Sequence, residues 1–149
     1  MTGVYVGLLD ESMLGEAEVA AIHLLRQQLK PTATPVTFEY LQQLLACGST
    51  QVFVAVIEHQ IVGVALLCSV YKLDGRRDQL EELVVFPDYR KYGIGRELLK
   101  VVVEASYVQG ARDISLTTEL AKRPEAVALY ETNGFTLLSD KVVLRRPHY

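Results

Sequence analysis

The first fifty residues alternate between apolar and polar positions, first with the period of a strand and then with that of a helix. Val4–Leu8 alternates residue by residue, as a strand with one buried face does. From about Met13, apolar residues recur at three- and four-residue spacing until Pro31 stops the pattern. A second helical pattern runs from Phe38 to about Ala46 behind Thr37, a residue type favoured as an N-cap. This part of the chain therefore predicts one strand followed by two helices.

The middle of the chain changes to the period of strands. Runs rich in β-branched and aromatic residues cover Val52–Ile57, Ile61–Tyr71 and Gln79–Phe86, and such residues favour strands. A polar turn separates the first two runs, and Asp74-Gly75 is a hairpin signal before the third. The three runs predict consecutive antiparallel strands.

The last third predicts two further helices and the remaining strands. A helical face follows Gly95 and ends at Gly110, and another helix starts at Pro124, a favoured first helical position. Strands are predicted over three ranges: Ile114–Thr118, Phe135–Leu138 and Lys141–Arg145. The whole order predicts a mixed α/β (α+β) fold, with a mostly antiparallel sheet of about seven strands and about four flanking helices.

Composition limits the class of protein. The chain has 149 residues, 50% of them hydrophobic and 22% charged, which predicts a single folded domain over residues 1–149. Its net charge of −3 argues against a nucleic-acid partner. The longest apolar stretch, Ile61–Val70, covers about half of the residues that a membrane helix needs, so no membrane partner is expected.

The cysteines and histidines predict neither disulfide nor metal chemistry. Cys47 and Cys68 stand in apolar contexts without a CxxC spacing, and residues 1–10 lack the pattern of a signal peptide. Two buried thiols and a cytoplasmic location are therefore expected. The three histidines have no ligand spacing, so no metal is expected.

The segment Arg90–Arg96, Arg-Lys-Tyr-Gly-Ile-Gly-Arg, carries the clearest chemical signal. It joins a predicted strand to a predicted helix, and Gly93 and Gly95 would let a phosphate approach the unpaired amides of the helix start. Three cationic side chains add positive charge. Leu98 stands where a dinucleotide fingerprint needs its third glycine, and no Gly-Lys-Ser/Thr follows, so both of those motifs fail. Alternatively, the glycines only make a tight turn into the helix.

Two linked segments resemble the GNAT superfamily of acetyl-CoA-dependent N-acetyltransferases. Arg90–Gly95 is similar to its R/Q-x-x-G-x-G/A signature, and Glu81–Val85 resembles its fourth strand. Forty residues further, Ala128–Phe135 resembles the second signature, a helix carrying "LY" followed by "xxxGF". The resemblance covers residues 51–145 in motif order and implies a GNAT-like fold.

The resemblance also implies roles for individual residues. In relatives the fourth strand pairs with the pantetheine arm, the turn amides hold the pyrophosphate, and the tyrosine of the second signature, here Tyr130, protonates the leaving thiolate. Relatives often carry a cofactor-contacting asparagine seven residues before that tyrosine. Arg123 stands there instead, and an arginine could reach a phosphate. The implied acetyl-CoA-binding residues are Leu83, Val84, Val85, Arg90, Lys91, Tyr92, Gly93, Ile94, Gly95, Arg96, Arg123 and Tyr130.

Attack on a thioester needs a neutral amine, and two adjacent glutamates are candidates for the base. Side chains alternate along a strand, so Glu81 would share a face with Leu83, and Glu82 with Leu80 and Val84. Only one of the two would then face the cleft. Several relatives carry a catalytic or water-linked glutamate at the position of Glu81, which favours that residue. The alternative is that both are solvated strand carboxylates.

The resemblance implies an N-acetyltransferase that moves the acetyl group of acetyl-CoA directly to a primary amine, either on a small molecule or on a protein. Two alternatives stay open: a non-catalytic acyl-CoA-binding regulatory module on the same fold, and an interaction domain without a cofactor. The carboxylates of Asp74, Asp78, Glu81 and Glu82 could attract a cationic acceptor, but surface carboxylates are too common to choose one. The apolar residues 142–144 are consistent with a homodimer.

Overall fold

The computed structural model describes residues 3–31, 34–118 and 123–148. The chain divides into two compact units, Met1–Thr117 and Thr118–Tyr149. The single domain expected over residues 1–149 stays a prediction.

Among its described residues, the first unit contains five strands and three α-helices. The strands are β1 (Val4–Leu8), β2 (Thr50–Ile57), β3 (Gln60–Lys72), β4 (Gly75–Val85) and β5 (Ile114–Ser115). The helices are α1 (Glu16–Leu29), α2 (Phe38–Ala46) and α3 (Ile94–Val108), and short 3₁₀ turns cover Glu11–Met13 and Pro87–Tyr92. The helix α1 begins later than predicted, because Asp10 caps the separate first 3₁₀ turn and Gly15 is the N-cap of α1.

The strands form one sheet in the order β1-β2-β3-β4-β5. Neighbours are antiparallel, except that β4 and β5 run parallel. The mixed, mostly antiparallel sheet is thereby confirmed.

The predicted count of about seven strands is wrong for the described residues, where the sheet has five. Phe135–Leu138 and Lys141–Arg145 were expected as the last two strands, and the structure gives neither a strand conformation. Alternation favours a strand only where a neighbouring strand supplies hydrogen-bond partners. Here Leu137, Val142 and Leu144 are strongly exposed, so no apolar face holds this segment in register.

The sheet is covered by helices on both faces. Leu25 of α1 and Leu41 of α2 belong to a core cluster with Val54 and Val84. On the opposite face Leu98 of α3 lies so close to the sheet that a Cβ on Gly63 would stand 2.9 Å from its Cδ1. Glycine at this position lets the helix approach the strand closely.

A buried ion pair fixes β4 from within. Asp78 is fully buried, and Arg76 donates to both of its carboxylate oxygens at 2.8 and 3.0 Å. Burial alone raises the pKa of Asp78, but hydrogen bonds from Arg76, Ser106 and Ser69 outweigh it and hold the pKa below its usual value. Asp78 is therefore a structural residue and no part of an exposed acidic hairpin.

The two thiols are more accessible than expected. Cys47 is exposed and Cys68 is half-buried. Cys47 is the C-cap of α2, where the chain turns towards β2, so the prediction that it is a core residue is wrong. Among the helices of the described residues, none has both the length and the apolar character required to cross a bilayer.

Candidate active site

The turn between β4 and α3 forms an open, positively polarised surface. It ends at Gly93, which has a φ of 73° and serves as the N-cap of α3 without a side-chain capping bond. A Cβ added at Gly93 would meet nothing within 4 Å. The amides at the start of a 15-residue helix are therefore approachable, and the helix dipole favours an anion there. Lys91 and Arg96, both exposed, add positive charge, and these features fit the pyrophosphate of acetyl-CoA.

Arg90 is held by the protein itself. Its Nε donates to the carbonyl oxygen of Val85 at 2.9 Å, and its Nη2 donates to Oε1 of Gln28 at 2.8 Å. These bonds tie the turn to the end of β4 and to α1. A contact between Arg90 and the cofactor stays a prediction, and the observed bonds give this side chain a role in positioning the turn.

One edge of β4 is open near the turn. The strand pairs with β5 only at Asp78 and Gln79, and among the described residues no strand pairs with the following part of that edge. The unpaired backbone groups of an edge strand can bind an extended ligand, which then pairs with the edge as an additional strand would. The position of this edge, at Leu83–Val85, supports the predicted contact with pantetheine.

A β-bulge in β4 changes the predicted faces of the two glutamates. The register with β3 shifts between the pairs Leu66–Glu81 and Val64–Val84, and Glu82 has a φ of 55°. An extra residue in one strand reverses the alternation that follows it. The prediction that Glu81 and Glu82 lie on opposite faces is therefore wrong.

Both glutamates lie on the face that α1 covers. Glu81 pairs across the strands with Leu66, which lines a cavity on that face, and Glu82 lines the same cavity. Cross-strand partners point to the same side. The Nε of Arg26 in α1 lies 2.6 Å from Oε1 of Glu82.

The two carboxylates differ in their surroundings. Desolvation of its carboxyl group and the negative charge of Glu82 raise the pKa of Glu81. A raised pKa makes a carboxylate a stronger base, which suits a group that removes a proton from an ammonium ion. Glu82 has the Arg26 guanidinium as its ion-pair partner.

The cavity beside Glu82 has a volume of about 630 Å³, within the roughly 300–1,000 Å³ usual for small-molecule sites. Its walls come from α1, the segment between α1 and α2, α2 itself and the sheet. Arg26 and Lys30 also line it, and neither was predicted as a site residue. Arg26 follows Ile22 by four residues and precedes Leu29 by three, so it lies on the apolar face of α1. A cation on that face was the sequence signal that could have predicted Arg26 as a site residue.

The second unit holds Tyr130 on the helix α4 (Pro124–Thr132). The helix ends in a Schellman motif: Phe135 N donates to the carbonyl of Tyr130, and Gly134 N donates to that of Glu131. Gly134 has a φ of 93°, a conformation that glycine adopts readily. The turn brings the ring of Phe135 edge-on to that of Tyr130, with centroids 5.8 Å apart.

The hydroxyl of Tyr130 lies in a partly desolvated environment. Desolvation raises the pKa of its hydroxyl, and the positive charge of Arg123 opposes that shift in part. The phenol therefore stays protonated at neutral pH. Arg123 is the N-cap of α4.

The predicted site residues fall into two groups. Glu81, Leu83, Val84, Val85 and the turn Arg90–Arg96 belong to the first unit, whereas Arg123 and Tyr130 belong to the second. Among the described residues, no three His, Cys, Asp or Glu side chains are grouped so that they could hold a metal ion.

The chain belongs to the Acetyltransferase (GNAT) family, which matches residues 19–135. This match confirms the resemblance carried by the two signatures.

The chain also matches individual curated proteins, at low to moderate sequence identity. The chain is 27% identical to N-alpha-acetyltransferase 30 of Homo sapiens over 132 residues, which are 87% of this chain and 35% of that protein. It is 36% identical to thialysine N-epsilon-acetyltransferase of Sus scrofa over 81 residues, 54% of this chain and 47% of that protein. The chain thus matches less than half of the length of these curated relatives.

A solved structure shows the same fold. An aminoglycoside acetyltransferase from an uncultured soil metagenomic sample, in complex with sisomicin, superposes with a TM-score of 0.83. The match covers 98% of this chain and 97% of that one at 17% sequence identity. At that identity the likeness concerns the fold alone.

Proposed function

We propose that this protein transfers the acetyl group of acetyl-CoA directly to a primary amine. The observation that carries the proposal is the uncapped start of α3 at Gly93, next to the open edge of β4. Together they offer anion-binding amides and a strand edge, the two features that a pyrophosphate and an extended pantetheine arm require. Family membership supports the same activity.

Acetyl-CoA would supply an activated acetyl thioester. The amides from Lys91 to Arg96 would hold its pyrophosphate, with Arg96 and Lys91 as cationic neighbours, and the backbone of Leu83–Val85 would hold its pantetheine. Arg123 would add a cationic contact where relatives often have asparagine. Binding both substrates in one site removes much of the entropic cost of their encounter.

Two residues would move protons. A carboxylate oxygen of Glu81 accepts the proton that leaves the ammonium ion of the acceptor, so that the amine can attack the acetyl carbon. The hydroxyl of Tyr130 donates its proton to the sulfur as the carbon–sulfur bond breaks, and the tyrosinate recovers a proton from the nitrogen, which has carried a positive charge since the attack. Because a thiol has a pKa of about 8.5, the thiolate leaves readily, and one positioned acid is sufficient.

The thermal stability of the purified protein tests the proposal first. We would compare acetyl-CoA, CoA, NAD and ATP in parallel, since a ligand at 100 times its Kd stabilises a protein by about 2.7 kcal/mol. Selective stabilisation by acetyl-CoA and CoA supports the proposal, and amines would then be screened by release of free thiol. Stabilisation without turnover of any amine would favour a non-catalytic acyl-CoA-binding module. The absence of any shift would contradict the assignment of the amides from Lys91 to Arg96 as the pyrophosphate site, which we call the cradle.

The cytoplasmic location and the homodimer stay predictions. In the structure Val142, Val143 and Leu144 are strongly exposed, which supports testing for self-association. Sedimentation equilibrium of the purified protein would decide between a monomer and a dimer.

A further inference from the structure

The cavity beside Glu82 is apolar over most of its wall. Its floor is formed by side chains of the sheet, including Val52, Val64 and Val84, and its sides by Ile22, Leu41 and Leu44 of the helices. Such a surface stabilises an apolar body by excluding water from it, at about 25 cal/mol for each Å² buried. A ligand that fills this cavity therefore needs an apolar group.

The charges around the cavity favour an acceptor with a single positive charge. Among the described lining residues, the charged ones are Arg26, Lys30 and Glu82, two cations and one carboxylate, and the carboxylate of Glu81 belongs to the same face of β4. A polyamine or an aminoglycoside would place further ammonium groups against Arg26 and Lys30. Like charges within one cavity repel each other, so a polycation is disfavoured there.

The ion pair between Arg26 and Glu82 offers neighbouring groups of opposite charge. The Nε of Arg26 lies 2.6 Å from Oε1 of Glu82, and both side chains are about one third exposed, at 28% and 35%. The guanidinium has five N–H donors, and a carboxylate has two acceptor oxygens, so each partner can take a further ligand group. An α-amino acid carries its ammonium and its carboxylate on one carbon, which places them as close together as the two halves of this ion pair.

We propose that the acceptor is an α-amino acid with an apolar side chain. Its side chain fills the apolar cavity, its amine lies against Glu82, and its carboxylate lies against Arg26 and Lys30. This inference rests on the proposed acetyl transfer, in which Glu81, on the same face of β4, receives the proton of the amine.

The test compares matched ligands. Calorimetry would measure the binding of L-leucine, L-methionine and L-phenylalanine to the protein saturated with CoA, and thiol release would measure their turnover with acetyl-CoA. The matched controls are the corresponding amides, which lack the carboxylate, the dipeptide leucyl-glycine, which moves it away, and spermidine. We expect the best amino acid to bind at least about tenfold more tightly than its amide, because a charge-assisted bond is lost.

Each other result overturns the inference. Tighter binding of spermidine than of the amino acids would favour a polycationic acceptor instead. Equal binding of an amino acid, its amide and leucyl-glycine would show that the carboxylate of the amino acid does not contribute to binding. It would favour the amino terminus of a peptide as the acceptor. Failure of all three amino acids to bind would assign the cavity to another occupant.

Charge variants test which residues hold the carboxylate of the bound amino acid. Lys30→Glu is expected to weaken amino-acid binding by about tenfold, and Arg26→Gln to bring the affinities of the acid and its amide close together. Lys72→Glu makes the same charge change as Lys30→Glu at an exposed position outside the cavity and should leave binding unchanged. An equal effect of Lys30→Glu and Lys72→Glu would contradict the assigned carboxylate site.

The failure of this inference is distinguishable from that of the proposed function. Stabilisation by acetyl-CoA concerns the turn at Gly93, whereas amino-acid binding concerns the cavity. Stabilisation by acetyl-CoA together with turnover of a polyamine would overturn the acceptor class alone. Amino-acid binding without any stabilisation by acetyl-CoA would overturn acetyl transfer and leave the cavity assignment standing.

Discussion

Arg26 of α1 and Glu82 of β4 form an ion pair across two elements, with 2.6 Å between Nε and Oε1. The pair depends on the bulge at Glu82, whose φ of 55° turns this residue towards α1. The neighbouring Glu81 lies on the same face, opposite Leu66. The bulge therefore separates two adjacent carboxylates into one held by a guanidinium and one with a raised pKa.

Replacing the proposed acid tests its role. We expect Tyr130→Phe to lower kcat by about 10- to 100-fold and to leave the affinity for acetyl-CoA nearly unchanged, because the thiolate then leaves without a proton donor. Steady-state kinetics and calorimetry would measure the two effects. The control is Tyr107→Phe, since Tyr107 is an exposed tyrosine on α3. An unchanged kcat in Tyr130→Phe would remove this residue from the acid role.

The cradle is tested at its glycine. Gly93→Asp places a negative charge beside the helix start, so we expect the affinity for acetyl-CoA to fall by about tenfold or more. A side chain at this positive φ is strained by itself. Gly110→Asp controls for that strain, because Gly110 also has a positive φ, 89°, with nothing within 4 Å of an added Cβ. If both variants bind acetyl-CoA as the unsubstituted protein does, the cradle lies elsewhere.

The pH profile tests the proposed base. A base acts only when deprotonated, so kcat/KM should fall as the pH drops through the pKa of Glu81. Glu81 is exposed, but partial desolvation of its carboxyl group and the charge of Glu82 raise that pKa. The acidic limb of the profile, where kcat/KM falls, therefore lies above the value of about 4.3 of an ordinary glutamate. We expect Glu81→Gln to lower kcat/KM by about 100-fold and to abolish the limb.

The neighbouring glutamate provides a second readout. Glu82→Gln removes the negative charge that raises the pKa of Glu81, so the inflection should move to lower pH even if the amplitude also changes. A limb that survives in Glu81→Gln would assign the titration to another group.

The buried ion pair of β4 should carry much of the stability of this strand. Asp78→Ala leaves Arg76 without its carboxylate partner, with the bond to Gln109 remaining for the guanidinium, and we expect the free energy of unfolding to fall by about 3–5 kcal/mol. Urea denaturation would measure it. Asp113→Ala removes an exposed carboxylate that pairs with Arg77 and should cost no more than about 1 kcal/mol. Equal effects would contradict the structural role of Asp78.

The same pair gives stability a pH dependence. The pKa of Asp78 is held below its usual value in the folded state. Its contribution is therefore fully present above the unfolded value of about 3.9 and is lost as the pH falls through the folded value. The difference in stability between the unsubstituted protein and Asp78→Asn should shrink as the pH is lowered below about 4. A constant difference over that range would show that Asp78 does not titrate in this way.

The sequence by itself determined those elements whose signals are local. Thr37 caps α2, and its hydroxyl accepts a bond from Tyr40 N at 3.2 Å, so the start of this helix was readable from neighbouring residues. Pro124 begins α4 as predicted. The second signature is local as well, because Gly134 supplies the left-handed turn that returns Phe135 to Tyr130.

Only the tertiary structure decided features that depend on residues far apart in the chain. The bulge at Glu82 arises from the register between β3 and β4, and two-residue alternation alone predicted the opposite face. The last two predicted strands have the right pattern, yet in the structure the segment that contains them is not paired in the sheet. Arg26, Lys30 and Glu82 come from distant segments and share one cavity only after folding. Capping and turn formation act over a few residues, whereas register and cavity shape depend on which elements pack together.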